Sequence, residues 1–249
     1  MTKAGETAEA LALLGEGKPA LLWRRVIADT ETPVSAALKL FETGRGDFVL
    51  ESVEGGETRG RYSLLGLDPD LIFRARGDAC EINRQWQTDR EAFVPLDGGS
   101  LAQLRALVES CRLDLPPELP PALACVVGYF GYETIGLVEK LPRAPDSALE
   151  LPDMLFTRPS LILVFDRLSD ELFLVAPLWP SAKDPEAAIT AAQERIDDAM
   201  RRLSLPIPVA TAAADLPEPQ LTAMTSAEEY RSMVLRAKEY IEAGDIFQV

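Results

Sequence analysis

Apolar positions along the chain follow two spacings, and the alternation between them lays out the elements. Residues 6–14 carry a short, weakly patterned helix, and 21–28 (LLWRRVIA) read as a strand. Thr32 followed by Pro33 marks a helix start, an N-cap and then a first helical residue. Val34, Ala37, Leu38 and Phe41 line that helix, and Gly44 stops it. A dense β region follows, with runs at 47–53 (DFVLESV), 61–67 (RYSLLGL), 71–75 (LIFRA) and 79–83. Gly55-Gly56, Asp68-Pro69 and Gly77-Asp78 separate these runs with turn chemistry, which predicts an antiparallel sheet.

A second helix is expected from Ser100, with Ser100 and Gln103 as a capping box and Leu101, Leu104, Leu107, Val108 and Cys111 on one face. Residues 115–121 (LPPELPP) are barred from a helix interior and form an extended connector. Residues 122–129 read as a buried strand that leads into Gly128-Tyr-Phe-Gly-Tyr-Glu133, at a strand-to-helix transition. Further strands are expected at 154–158, 161–166 and 171–176, the last two joined as a hairpin across 167–170. A charged, alanine-rich helix covers 184–203, and the Pro- and Ala-rich stretch 205–219 reads as a linker. The final helix opens on a Thr225/Glu228 capping box, carries Tyr230, Met233, Val234, Ala237, Tyr240 and Ile241 as its stripe, and stops at Gly244. Residues 245–249 (DIFQV) read as a strand just beginning, so the fold is expected to be truncated before it is complete. The pattern predicts an α+β fold, antiparallel β-sheets with flanking helices.

With 249 residues, 47% of them hydrophobic, the chain can bury one large core or two modest ones. A formal net charge of −15 disfavours nucleic acid and anionic membranes as partners. An anionic small molecule would need a local basic pocket or a bound cation to enter such a field. No apolar run reaches the roughly 18 residues of a membrane span, and the N-terminus carries acids where a signal peptide would be basic. Cys80, Cys111 and Cys125 form neither zinc spacing nor a CxxC pair, as expected of buried thiols in a reducing cytoplasm. Histidine is absent, which excludes a histidine base, a Ser-His triad and a His-ligated metal within these residues. No phosphate-binding glycine loop and no compact metal-ligand set occurs either.

Three segments stand out chemically. Strand alternation puts Phe48, Leu50 and Ser52 on one face, and the neighbouring Glu51 and Ser52 offer groups for a ligand's ammonium and carboxylate, or merely solvate a hairpin end. Arg59-Gly60-Arg61-Tyr62-Ser63 concentrates positive charge, either for a carboxylate or for cross-strand pairing with Glu51, Glu54 or Glu57. The glycine-aromatic cluster 128–133 suits a pocket wall or core packing.

Together these segments resemble anthranilate synthase component I, of the chorismate-utilising enzymes. Leu50-Glu51-Ser52, with Val49 before it, is similar to the family's Leu-Leu-Glu-Ser element, and Arg61-Tyr-Ser-Leu-Leu-Gly66 to the motif after it. Residues 27–35 (IADTETPVS), Gly128–Glu133, Pro152–Phe156, Glu229-Tyr230 and 243–248 (AGDIFQ) follow in the family's order. The resemblance implies a layered β-sandwich and a lyase of tryptophan biosynthesis. That enzyme converts chorismate and ammonia into anthranilate and pyruvate, with Mg²⁺ as cofactor and a glutamine amidotransferase subunit as partner. It implies feedback inhibition by L-tryptophan, bound by Leu50, Glu51 and Ser52, with Arg61 beside them. Residues 1–204 would be the tryptophan-sensing region, 205–221 a linker and 222–249 the start of an incomplete chorismate-binding domain. No catalytic residue is expected in this chain, the Mg²⁺ ligands are expected beyond residue 249, and the chain alone is expected to be inactive. The alternatives are aminodeoxychorismate synthase component I, of the folate pathway, and a non-catalytic amino-acid-binding module.

Overall fold

The computed structural model describes residues 3–54, 58–141, 149–180, 184–208 and 218–248, with backbone alone at 3, 4, 52–54, 58 and 59. The chain divides into two units, 1–208 and 209–249. In the first unit one antiparallel sheet holds eight strands. Its path runs β1 (Ala20–Ile27), β8 (Glu171–Leu178), β7 (Met154–Asp166), β3 (Thr58–Arg76), β4 (Ala79–Asn83) and β5 (Phe93–Leu96). β2 (Phe48–Glu54) pairs with β3, and β6 (Val127–Phe130) pairs with β7. This is the antiparallel α+β architecture that the strand runs lead one to expect.

Four expected strands are two long ones. Residues 61–67 and 71–75 belong to β3, and 154–158 and 161–166 belong to β7. Asp68-Pro69 does not reverse the chain. Pro69 sits opposite Pro159, and the register shifts between Pro69 and Leu71. Neither proline has an N–H for the ladder, so hydrogen bonding thins at one level across both strands while the chain runs on. Asp68 takes a left-handed φ of 49° at this level. Beyond it β3 and β7 leave β2 and β8 and meet β4 and β6 instead.

Burial of both sheet faces explains the near-continuous apolar runs of β7 and β8. Leu161, Leu163 and Phe165 alternate with Ile162 and Val164, and Leu172 and Leu174 with Phe173 and Val175. The first set packs under α1 (Lys3–Gly15), α2 (Pro33–Leu40) and α4 (Pro185–Leu203), through Ala10, Leu14, Ala36, Leu40, Ile189 and Ile196. The second set is covered by Leu119 and by residues 122–125. Leu71, Phe73, Ile82, Met154 and Phe156 form another cluster with Leu104 and Leu107 of α3 (Ser100–Ser110) and with Cys111, which caps it. Cys80 and Cys111 are buried, Cys125 is partly buried, and all three are free thiols.

Several local expectations shift. Residues 122–126 are not a strand. After Pro120 and Pro121 the chain turns, with the Leu123 amide donating to Pro120 O, and β6 begins only at Val127. β6 then leads into a 3₁₀ turn, Tyr132–Leu137, the expected strand-to-helix transition. α2 ends at Leu40, because Phe41 is already extended, and Gly44 turns the chain three residues later. Ser100 is not an N-cap: Gly99 precedes the helix, and Asp78 accepts from the Ser100 amide at 3.0 Å. Gln103 instead donates to Asp97 O, outside any capping box. Val108, expected on the apolar face, is exposed. β5 carries no strong strand pattern and was not anticipated; with Pro95 it occupies the sheet edge, where a missing N–H is tolerated. The Gly55-Gly56 turn lies outside the described residues.

The second unit contains α5 (Ala227–Ala243). Its capping box is Ser226 with Glu229, one residue later than expected, and Gly244 closes it at φ 80°. No residue of this helix is buried, and residues 245–248 form no strand.

Candidate functional site

β2 and the first half of β3 bring the Leu-Glu-Ser and Arg-Tyr-Ser motifs together. Leu50 pairs with Leu64 and Glu51 with Ser63, but Val53 then pairs with Arg59. Gly60, Arg61 and Tyr62 therefore stand opposite Ser52 alone. Such an irregularity re-aims the side chains around it. A regular hairpin would set Arg61 against the glutamates of β2 or its turn. Arg61 turns to β7 instead, and donates from Nε at 2.9 Å and Nη2 at 2.7 Å to the two oxygens of Asp166. The expected pairing with Glu51 is replaced by this bidentate contact.

Asp166 is buried and also accepts from the Leu168 amide at 3.1 Å. The hydrogen bond from Arg61 holds the Asp166 carboxyl below the ordinary aspartate range, against the opposing effect of burial. Arg61 is raised in turn, chiefly by the same hydrogen bond.

Glu51 has a different partner. Arg167, the first residue of the β7–β8 hairpin turn, reaches Glu51 Oε1 from Nη2, and the same nitrogen donates to Ser63 Oγ at 3.1 Å. Ser63 is fully buried, so its hydroxyl is a fixed anchor for the guanidinium. Arg167 Nε is buried and has no hydrogen-bond partner.

Glu51, Arg61, Asp166 and Arg167 all line one groove of about 770 Å³. Its other wall comes from the start of α2, with Thr32, Pro33 and Val34, and from Phe165 and Leu168. The helix start is well defined: Thr32 Oγ1 accepts from the Ser35 amide at 3.1 Å, and Ser35 Oγ accepts from the Thr32 amide at 2.8 Å. Six carboxylates (Asp29, Glu31, Glu51, Asp166, Asp170 and Glu171) face two guanidiniums in this lining. Lys39 also meets Glu31 at 2.6 Å and Arg25 meets Glu171 at 3.6 Å, so four of the six carboxylates are paired and the groove keeps a small acidic excess. It attracts an ammonium group and repels a dianion, while Val34, Pro33 and Leu168 offer apolar contact.

Of the four residues singled out in the sequence, the structure brings Glu51 and Arg61 into the groove. Leu50 is exposed and absent from its lining, as strand alternation requires of the residue before Glu51. Ser52 follows Glu51 on the β2 backbone opposite the irregularity, and its side chain lies outside the described residues. Asp166 and Arg167 were missed. The only sequence signal for them was the hairpin expected across 167–170, which marks a turn but not the strand it faces. The glycine-aromatic cluster lies elsewhere: Tyr129, Phe130 and Tyr132 are exposed, and Phe130 meets Phe156 edge-on at 5.1 Å. Among the described residues no group of three or more Cys, Asp or Glu side chains could hold a metal ion. No described helix is long and apolar enough to cross a membrane.

The family described as chorismate binding enzyme matches residues 48–249. An anthranilate synthase component 1 from Cereibacter sphaeroides is 43% identical over 235 residues, 94% of this chain and 47% of that protein. One from Thermus thermophilus is 38% identical over 225 residues, 90% of this chain and 44% of that protein. The chain thus spans about half the length of these curated relatives. The crystal structure of anthranilate synthase component I from Streptococcus pneumoniae shares the fold, with a TM-score of 0.56 and 21% identity over 90% of this chain and 46% of that one.

Proposed function

The chain belongs to the family of chorismate binding enzymes, and we propose that it is the tryptophan-sensing N-terminal part of an anthranilate synthase component I. The observation that carries this reading is the 43% identity to a relative of that name over 94% of the chain. The geometry of the groove gives it a physical role. Chorismate is a dicarboxylate, and the acidic excess of the lining, with its arginines already paired to carboxylates, makes the groove a poor place for it. An amino acid with a large apolar side chain is better suited, because its ammonium meets acids and its side chain meets Pro33, Val34 and Leu168.

The complete enzyme would convert chorismate and ammonia into anthranilate and pyruvate, in the cytoplasm, with ammonia from a glutamine amidotransferase partner. Among the described residues no group of carboxylates or thiols fits a Mg²⁺ ion, and in this reading the metal and the residues that act on chorismate would come from the part of the relatives' length that this chain does not span. Residues 1–204 would sense the effector, 205–221 would link, and 222–249 would open the portion that binds chorismate. Tryptophan in the groove would inhibit only through a different affinity for two states of the whole protein.

The test is anthranilate fluorescence with chorismate, ammonium and Mg²⁺. The chain alone should give no turnover, and a form at the length of its relatives should give anthranilate that tryptophan suppresses. Ser52→Phe in that longer form should leave turnover and remove suppression. Turnover by the chain alone, or equal suppression of wild type and S52F, overturns the reading. Aminodeoxychorismate as the product would move it to the folate-pathway enzyme.

A further inference from the structure

α4 and the Asp68 level of β3 line a second cavity, of about 390 Å³, which shares no lining residue with the groove of Glu51. Leu40, Leu67, Leu161 and Ala199 in its lining are buried. Three arginines line it as well, and two of them are matched. Arg45 meets Glu42 and Asp47, each at 2.8 Å. Arg202 donates from Nη2 to Lys39 O at 2.8 Å and Leu40 O at 3.1 Å, and its Nη1 reaches Glu42 at 3.4 Å. Arg195 differs. It is partly buried, and its Nε is shut off from solvent with no hydrogen-bond partner. Burial holds its pKa below the ordinary arginine value, because Asp68 and Asp70 act on it only by charge, without contact. Burial works against Arg45 in the same way, but there the contacts with Asp47 and Glu42 more than offset it and leave the pKa raised.

A desolvated cation without a contacting counter-charge is costly to fold around. Here it stands in the wall of a cavity large enough for a ligand. We infer that this cavity binds a small monocarboxylate, with Arg195 as its counter-charge. A guanidinium offers parallel N–H groups to the two oxygens of a carboxylate, and the buried apolar lining strengthens the attraction. The acids nearby set the limit on ligand charge. Glu42 is taken up by two arginines, Asp198 pairs with Arg201, and Asp70 is matched by Arg158. Asp68 has neutral donors only, Gln87 at 2.8 Å and Ser160 at 3.3 Å, and Glu194 is exposed. Arg195 balances one carboxylate of the ligand. A second would meet the charges of Asp68 and Glu194 with no cation left to offset it, so a dianion is disfavoured.

The test follows the arginine Nε–H signals of the chain by NMR as sodium acetate replaces sodium chloride at constant ionic strength. The Arg195 signal should shift and saturate. Acetamide, the neutral isostere, should need a concentration about tenfold or more higher, the scale of one hydrogen bond to a charged group. Malonate, a dianion, should bind more weakly than acetate. Thermal unfolding gives a second readout with Arg195→Met. Acetate should raise the wild-type midpoint. R195M removes an unmatched buried charge, so without acetate it should unfold no lower than wild type, and acetate should not stabilise it. Absence of a saturable Arg195 shift overturns the inference, as does a response to acetamide or malonate equal to that to acetate. Equal stabilisation of R195M and wild type by acetate overturns it too. An R195M that unfolds well below wild type in acetate-free buffer marks a merely structural role and has the same consequence.

Discussion

Arg158 on β7 donates from Nε and Nη2 to the two carboxylate oxygens of Asp70 on β3, each at 2.8 Å, at the level where Pro69 and Pro159 thin the ladder between the two strands. The pair supplies a side-chain link where main-chain bonding is weakest. Arg158 is buried, its guanidinium sits 4.7 Å from the centre of the Trp179 ring, and its Nη1 lies 3.8 Å from Cys111 Sγ. Burial alone would lower its pKa, but hydrogen bonding and charge from Asp70 more than offset this and leave it raised.

The two halves of this pair should not cost the same to remove. Asp70→Ala strands a buried guanidinium and should destabilise the chain by on the order of 3 kcal/mol. Arg158→Met leaves a better-solvated carboxylate and keeps apolar volume against Trp179, so the loss should be about 1 kcal/mol. Urea unfolding of the two variants checks the order, and equal losses would count against the asymmetry.

Asp166 sets an acid dependence. Its folded carboxyl is held below the ordinary range by Arg61, so its contribution to stability is fully present above that range. It is lost as pH falls through the lowered folded value. Arg61→Met should move the Asp166 titration upward and bring acid unfolding to higher pH. Carboxyl chemical shifts during acid titration would show the change.

Thiol reactivity follows burial. Burial pushes the Cys125 thiol up to about 12, with smaller effects from Cys111 upward and Arg158 downward. Burial also raises Cys80. At pH 8 a thiol-specific reagent should label the native chain slowly and label all three cysteines promptly in denaturant. Rapid native labelling at Cys125 would contradict the packing of residues 122–125 over the sheet.

Two glycines hold strands close, and their alanine variants should rank by what the new methyl meets. At Gly128 a Cβ would lie 2.0 Å from the main-chain oxygen of Leu155, which the β6–β7 ladder fixes. At Gly66 it would lie 2.1 Å from the ring of Phe48, a side chain that can rotate. Both should destabilise, Gly128→Ala by about 3 kcal/mol and Gly66→Ala by about 1 kcal/mol. Thermal unfolding gives the ranking.

The local grammar was legible in the residues themselves. Thr32-Pro33, Gly77-Asp78 and Gly244 mark a start, a turn and a stop because each controls a few neighbouring dihedrals or one nearby N–H. The short, near-continuous apolar runs of β7 and β8 announced a sheet, and the ordered motifs from Leu50-Glu51-Ser52 to residues 243–248 placed the chain in its family. Where two local patterns competed, as at Thr225/Ser226, the choice fell one residue from expectation.

Tertiary structure alone decided which charges meet. Arg61 pairs with Asp166 across 105 positions of sequence, and Arg167 with Glu51 across 116. Those choices depend on the register of β3 against β7 and on three β3 residues standing opposite Ser52. Register comes from the collective burial of two sheet faces, not from any short stretch. The sequence by itself determined that a strand ending in Glu51 and Ser52 would lie near a basic hairpin arm. Only the long-range pairing of β7 with β3 could exchange one arginine for another at the glutamate, because a side chain's partner is set by where the neighbouring strand runs.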